Sequence, residues 1–160
     1  MKLKTRLLPG IFLAAMTLAI AEKAAPPGLP ETVKTELNEL EKKLQETLTG
    51  AVLDGQFTLI KAGKVGGLKK ERYTIVKVTK FREDYWNFMA RVEYGGKDVT
   101  IPMTLQVKWA GDTPVITLTS LQIPKLGTYT ARVLIYGEEY AGTWSGGTHK
   151  GHLFGRVIKE

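Results

Sequence analysis

The chain has 160 residues, 23 basic side chains against 16 acidic ones, and no cysteine. That length suffices for one domain with its own core. The absence of cysteine excludes a disulfide framework, a thiol nucleophile and the acylated cysteine of a lipoprotein.

The first 21 residues read as a secretory signal peptide. Lys2, Lys4 and Arg6 form a positive start, Leu7 to Ala21 is an apolar stretch, and Ala19-Ile20-Ala21 supplies a small-residue cleavage site. The stretch is shorter than the ~20 residues that span a bilayer, and Pro9-Gly10 interrupts it. Cleavage leaves 139 of the 160 residues and, with three basic and no acidic residues removed, takes the net charge from +7 to +4. The mature chain then ends in a periplasm or outside the cell, with no transmembrane span. Export argues against nucleic acid as a partner, so the residual charge reads as solubility or attraction to anionic surfaces.

Residues 22–30 (EKAAPPGLP) are rich in Pro and small residues and read as a linker. From 31 to 49 the periodicity is helical. Val33, Leu37, Leu40, Leu44 and Leu48 draw one narrow apolar stripe, Glu39 and Lys43 form an i,i+4 pair, and Pro30 and Gly50 bracket the segment. With fewer than three heptads, it is expected to pack on its own domain rather than to form a coiled coil.

Residues 51–160 read as an antiparallel β domain. Strand one carries Leu53, Gly55, Phe57 and Leu59 on one face. Strand two, about 72–81, shifts its apolar set from Tyr73 and Ile75 to Val76 and Val78, which implies a bulge. Strand three reads Trp86, Phe88, Ala90, Val92, Tyr94, and Gly95-Gly96 fits a hairpin turn. Strand four, Val99 to Trp109, puts six apolar side chains on odd positions with polar residues or Pro102 between them. Strand five spans 114–119, and a longer connection runs from Ser120 to Gly127. Strand six carries Tyr129, Ala131, Val133 and Ile135, strand seven Tyr140, Gly142 and Trp144, and strand eight covers about 149–158. Eight strands joined mostly by tight turns make an up-and-down meander, and closing it into a barrel removes both sheet edges. Gly142, Gly151 and Gly155, inside strand patterns, support curling. The alternative is an open curved sheet wrapped on the helix.

The segment Tyr140-Ala141-Gly142-Thr143-Trp144-Ser145-Gly146-Gly147 resembles the G-x-W strand of calycin-type barrels, the lipocalins and avidins. The resemblance implies an eight-stranded meander that binds a small, mostly apolar ligand, with Trp144 closing one end. In those families the motif lies in the first strand and here in the seventh, so no ligand-binding residue beyond Trp144 carries over. On the residues alone, the inward side chains of strands three, four and six would line an interior: Trp86, Phe88, Val99, Ile101, Met103, Leu105 and Val133.

Other chemistry is sparse. His149 and His152 sit three apart, an offset that sends them to opposite faces of a strand. The glycines from Gly146 to Gly155 precede a strand rather than a helix, which excludes a phosphate-cradling loop. Asp54, Glu83, Asp84, Asp98 and Asp112 fall mostly at turns and strand ends, and Ser120 and Ser145 have no nucleophile-elbow context. Neither a metal nor a cofactor nor catalysis is implied. The connection Lys61 to Arg72 differs: Lys61, Lys64, Lys69, Lys70 and Arg72 face a single acid, Glu71, and suit an anionic surface. The expected function is an exported, non-enzymatic barrel for a small apolar or amphipathic ligand. The alternative is an envelope or assembly protein that binds a partner through the helix or the basic loop.

Overall fold

Eight long strands close into an antiparallel barrel in the computed structural model, which describes residues 36–94, 97–124 and 126–159. The elements are α1 (Glu39–Leu48), β1 (Ala51–Phe57), β2 (Ile60–Lys61), β3 (Lys64–Val65), β4 (Lys69–Arg82), β5 (Tyr85–Tyr94), β6 (Lys97–Ala110), β7 (Thr113–Ile123), β8 (Gly127–Tyr136), β9 (Glu139–Gly146) and β10 (His149–Lys159). The order around the barrel is β1-β10-β9-β8-β7-β6-β5-β4, with β4 pairing back to β1, while β2 and β3 form a separate two-stranded hairpin. Apart from that hairpin between β1 and β4, this is the sequential meander the period-two patterns predict. The expected signal peptide, the linker and the Gly95-Gly96 turn lie outside the described residues.

The inner face is apolar because each strand sends alternate side chains inward. Trp86, Phe88 and Ala90 on β5 face Leu105, Met103 and Ile101 on β6, and all but Met103 are buried. The outer face carries Asp54, Lys77, Arg91, Glu93, Lys108, Arg132 and Arg156, all exposed. Val76, Met89, Leu134, Phe154 and Ile158 are exposed among them, so the outer face is mixed rather than the apolar band of an outer-membrane barrel, and the lumen is apolar rather than polar. None of the described helices is long and apolar enough to cross a membrane.

The expected bulge in β4 falls between Ile75 and Lys77. It turns Val76 out to 49% exposure and brings both Ile75 and Val78 inward. The segment 120–127, expected as a connection, is mostly strand. β7 continues to Ile123 because a second bulge, between Leu118 and Leu121, absorbs Ser120 at φ 49°.

The helix is shorter than its apolar stripe. Asn38 is its N-cap: the side chain accepts from Glu41 N at 2.9 Å, and the Glu41 carboxylate accepts from Asn38 N at 3.1 Å. That capping box fixes the start of α1 at Glu39, and residues 31–35 lie outside the described residues. Glu39 pairs with Lys42 at 2.8 Å, and Val33 lies outside the described residues. Leu44 and Leu48 are buried against the barrel, Leu37 packs at its edge, and Leu40 is 38% exposed.

α1 plugs one end of the barrel, where β1, β5, β7 and β9 begin and β4, β6, β8 and β10 end. Thr49 Oγ1 accepts from Val78 N at 3.1 Å, Gly50 N donates to Ile75 O at 2.8 Å, and the Lys159 ammonium donates to Thr49 O. The Glu41 carboxylate pairs with Lys80, whose ammonium lies 5.0 Å from the centre of the Trp86 ring. Trp86, Val78, Val107 and Ala51 have no measurable exposure at this floor. Burying such side chains contributes about 1.5–3 kcal/mol each, far more than the exposed Arg156–Glu138 pair can add.

A chamber with one carboxylate

Above this floor the barrel is hollow. A chamber of about 260 Å³ lies between Leu48 of the helix and Ile123 and Leu126 at the β7–β8 turn. Its wall is apolar nearly throughout: Leu53, Phe57, Phe88, Met103, Leu105, Ile116, Val133, Trp144 and Leu153 all contribute. An apolar cavity of roughly 150 Å³ is already enough to hold a benzene-sized molecule. Phe57 meets Trp144 edge to face, centroids 5.8 Å apart at 78°, on the side where β1 and β9 flank β10.

Glycine shapes this wall. The inner face of β9 reads Tyr140, Gly142, Trp144, Gly146, and that of β10 reads Gly151, Leu153, Gly155, Val157, so a large residue alternates with glycine along each strand. At Gly142 a Cβ would stand 2.0 Å from Arg132 O, and at Gly151 one would stand 1.8 Å from Thr58 O. The backbones approach too closely there for any side chain, which is the sharp curl that sequence glycines imply. Tyr129 occupies the place beside Gly146, and its hydroxyl donates to Leu126 O at 3.0 Å.

The wall is also unzipped on one side. β6 and β7 pair only from Gln106↔Thr117 to Ala110↔Thr113. Beyond that, β6 pairs with β5 alone and β7 with β8 alone among the described residues. The Ser120 bulge bends β7 away, and Pro102, which has no N–H, sits in the stretch of β6 that pairs with β5 but not with β7. Met103 borders the gap on one side, Leu118 and Ile123 on the other, and all three line the chamber.

Among the described residues, one carboxylate lines this interior. Glu71 on β4 is 6% exposed. Its Oε1 accepts from the Tyr140 hydroxyl at 2.9 Å, and its Oε2 accepts from the Tyr73 hydroxyl at 3.0 Å. Burial pushes its carboxyl above the ordinary carboxylate range, against the pull of those two hydrogen bonds. Burial and the neighbouring Glu71 charge push the Tyr140 phenol upward as well.

Of the residues expected to line an interior, Phe88, Met103, Leu105, Val133 and Trp144 stand on the chamber wall. Trp86 is part of the floor beneath the helix instead, packed under Lys80. Ile101 is buried and Val99 half-buried on the inner face of β6 outside the chamber lining. The Trp144 indole Nε1 is buried over Gly151, where a Cβ would come within 3.0 Å of it. Sequence reasoning missed Glu71, Tyr73 and Tyr140 as a group. It counted Glu71 within a basic loop, although its spacing of two from Tyr73 and four from Ile75 marks the inward face.

The basic segment splits in two. Lys61 and Lys64 stand directly opposite each other in the β2–β3 hairpin, and Lys69 and Lys70 begin β4; all four are exposed. Arg72 is half-buried within β4, opposite Glu93 of β5 and Asp54 of β1. His152 Nδ1 lies 3.4 Å from Thr58 Oγ1, and its backbone N–H donates to the same hydroxyl at 3.1 Å, a clamp of β10 on the segment after β1. No group of three metal-ligating side chains occurs among the described residues.

The fold and chamber define a class: a closed, eight-stranded antiparallel barrel with a greasy interior, compatible with the small calycin-like barrels. No family model matches the chain, and no curated protein matches it in sequence.

Proposed function

We propose that this is an exported, non-enzymatic barrel that takes up a small apolar or amphipathic molecule, in the manner of a lipocalin. The observation that carries this reading is the chamber: about 260 Å³ of apolar space above a helix-plugged floor. Pockets that bind small molecules are lined mostly by hydrophobic and aromatic side chains with a few placed polar groups. The likeness of Gly142-Thr143-Trp144 to the G-x-W strand, with Trp144 on the wall, adds support.

A homologous series of straight-chain alcohols tests it, followed by tryptophan fluorescence and calorimetry. Saturable binding is expected to strengthen about fourfold per methylene, from ~0.8 kcal/mol for each buried CH₂. The gain should stop once the chain outgrows the chamber. Ala131→Phe, which fills the wall beside Val133, should abolish uptake. Absence of saturable binding across the series refutes the reading.

The hairpin favours a second role, docking on an anionic surface. Residues 61–70 are all exposed, with Val65 at 58% and Leu68 at 57% beside the four lysines. Like charges directly opposite on paired strands repel, as Lys61 and Lys64 do here, and an anionic partner would relieve that cost. Co-sedimentation with phosphatidylglycerol vesicles tests this role; equal recovery with neutral phosphatidylcholine vesicles refutes it.

A further inference from the structure

The carboxylate of Glu71 on the chamber wall sets what its occupant must look like. Tyr140, Gly155, Gly55 and Glu71 lie in one row across β9, β10, β1 and β4, each paired with the next. The Tyr140 side chain crosses both glycines to reach Glu71. A Cβ at Gly55 would stand 2.3 Å from the Tyr140 hydroxyl, and one at Gly155 would stand 2.7 Å from the ring. Two glycines therefore let the phenol span two strands, and Tyr73, two residues along β4, braces the other carboxylate oxygen.

The result is a site that accepts and does not donate. Each tyrosine spends its one hydroxyl hydrogen on Glu71. An ionised carboxylate offers about four lone-pair positions, of which the phenols use two. Among the described residues the carboxylate is met by two neutral phenols and no cation. The other wall residues are apolar side chains, tyrosines and Trp144, whose indole N–H is buried against Gly151 rather than free to meet an occupant. A ligand carboxylate would bring acceptors and a like charge to this wall. An ammonium brings three donors and no acceptor, with the complementary charge.

We propose that the chamber takes an aliphatic primary amine, its ammonium seated on Glu71 and its chain in the apolar space, and that Glu71 selects against fatty acids. This deepens the ligand-binding reading and rests on it. Desolvation of Glu71 is a cost that a bound cation relieves. Tyr140 is a positioning residue, since it acts by holding the carboxylate.

Octylamine, 1-octanol and octanoate separate the outcomes, titrated by calorimetry and tryptophan fluorescence in low salt at neutral pH. Octylamine is expected to bind at least tenfold tighter than octanoate, the scale of one hydrogen bond to a charged group. Glu71→Gln should weaken octylamine about tenfold while octanol changes less than threefold. Tyr140→Phe, a second route to the same readout, should lower the octylamine-to-octanol preference without abolishing octanol uptake. Octanoate binding as tightly as octylamine overturns the inference and leaves the chamber reading standing. So does octylamine binding unchanged in Glu71→Gln. Failure of all three compounds to bind wild-type protein overturns both.

Discussion

The two ends of the barrel differ in how their space is used. At the plugged end, Trp86, Val78, Val107 and Leu48 interlock with almost no exposure, and the helix is stitched to β4 through Thr49, Gly50 and the Glu41–Lys80 pair. Toward the other end, β6 and β7 part, and a chamber takes the place of a core. The same alternating pattern builds both. A strand pattern specifies which side chains point inward, but not whether they meet in the middle. Closed packing at one end supplies stability that the hollow end forgoes.

The largest expected effect is at the floor. Trp86→Ala should destabilise by about 3–5 kcal/mol in urea unfolding, the range for deleting a buried aromatic. Met103→Ala, on the wall of a space that already exists, should cost less than half of that. Equal costs would mean that the hollow end is packed as tightly as the floor. Next comes the curl of β9. Gly142→Ala should cost about 1–3 kcal/mol, because its Cβ meets the Arg132 carbonyl and backbone must shift. Unchanged stability there would mean that β8 and β9 leave room for a side chain at position 142.

The pH dependence sharpens the contrast further. Folding raises the Glu71 carboxyl above its ordinary value of 4.5, so the folded chain keeps that proton to higher pH than the unfolded chain does. The group's contribution is therefore most favourable below about pH 4.5 and is lost as the pH climbs through the raised value. The stability difference between Glu71→Gln and wild type should grow with pH across that window and then level off. A difference that is flat with pH would place the carboxylate in water. The smallest stability effect belongs to the exposed lysines of the hairpin and the start of β4: replacing Lys61, Lys64, Lys69 and Lys70 with Ala should leave the melting temperature unchanged while reducing recovery on anionic vesicles. A large loss of stability would make the hairpin part of the fold's support.

Legibility followed the range of the interactions. The β6 alternation, the β4 bulge and the hairpin turns depend on neighbours a few residues apart, and the sequence displays them directly. So does the inward set of β5. The helix start was less legible, since the apolar stripe continues past Asn38 while a local capping box decides the boundary. Glu71 was hidden because its role depends on Tyr140, 69 residues away. Its spacing from Tyr73 and Ile75 was the available signal, and the lysines around it obscured that signal.

By itself, then, the order of residues determined an antiparallel meander with an apolar inner face, since side-chain alternation and turn chemistry are local properties of the chain. Only the tertiary structure decided that the meander closes, that Leu48 plugs one end, that β6 and β7 separate beyond Gln106 and Thr117, and that Tyr140 crosses two glycines to hold Glu71. Those outcomes depend on how far a curved sheet turns before its last strand, β10, meets its first, β1, and on how much volume its side chains leave unfilled. Both are sums over the whole barrel, and no short window of sequence contains them.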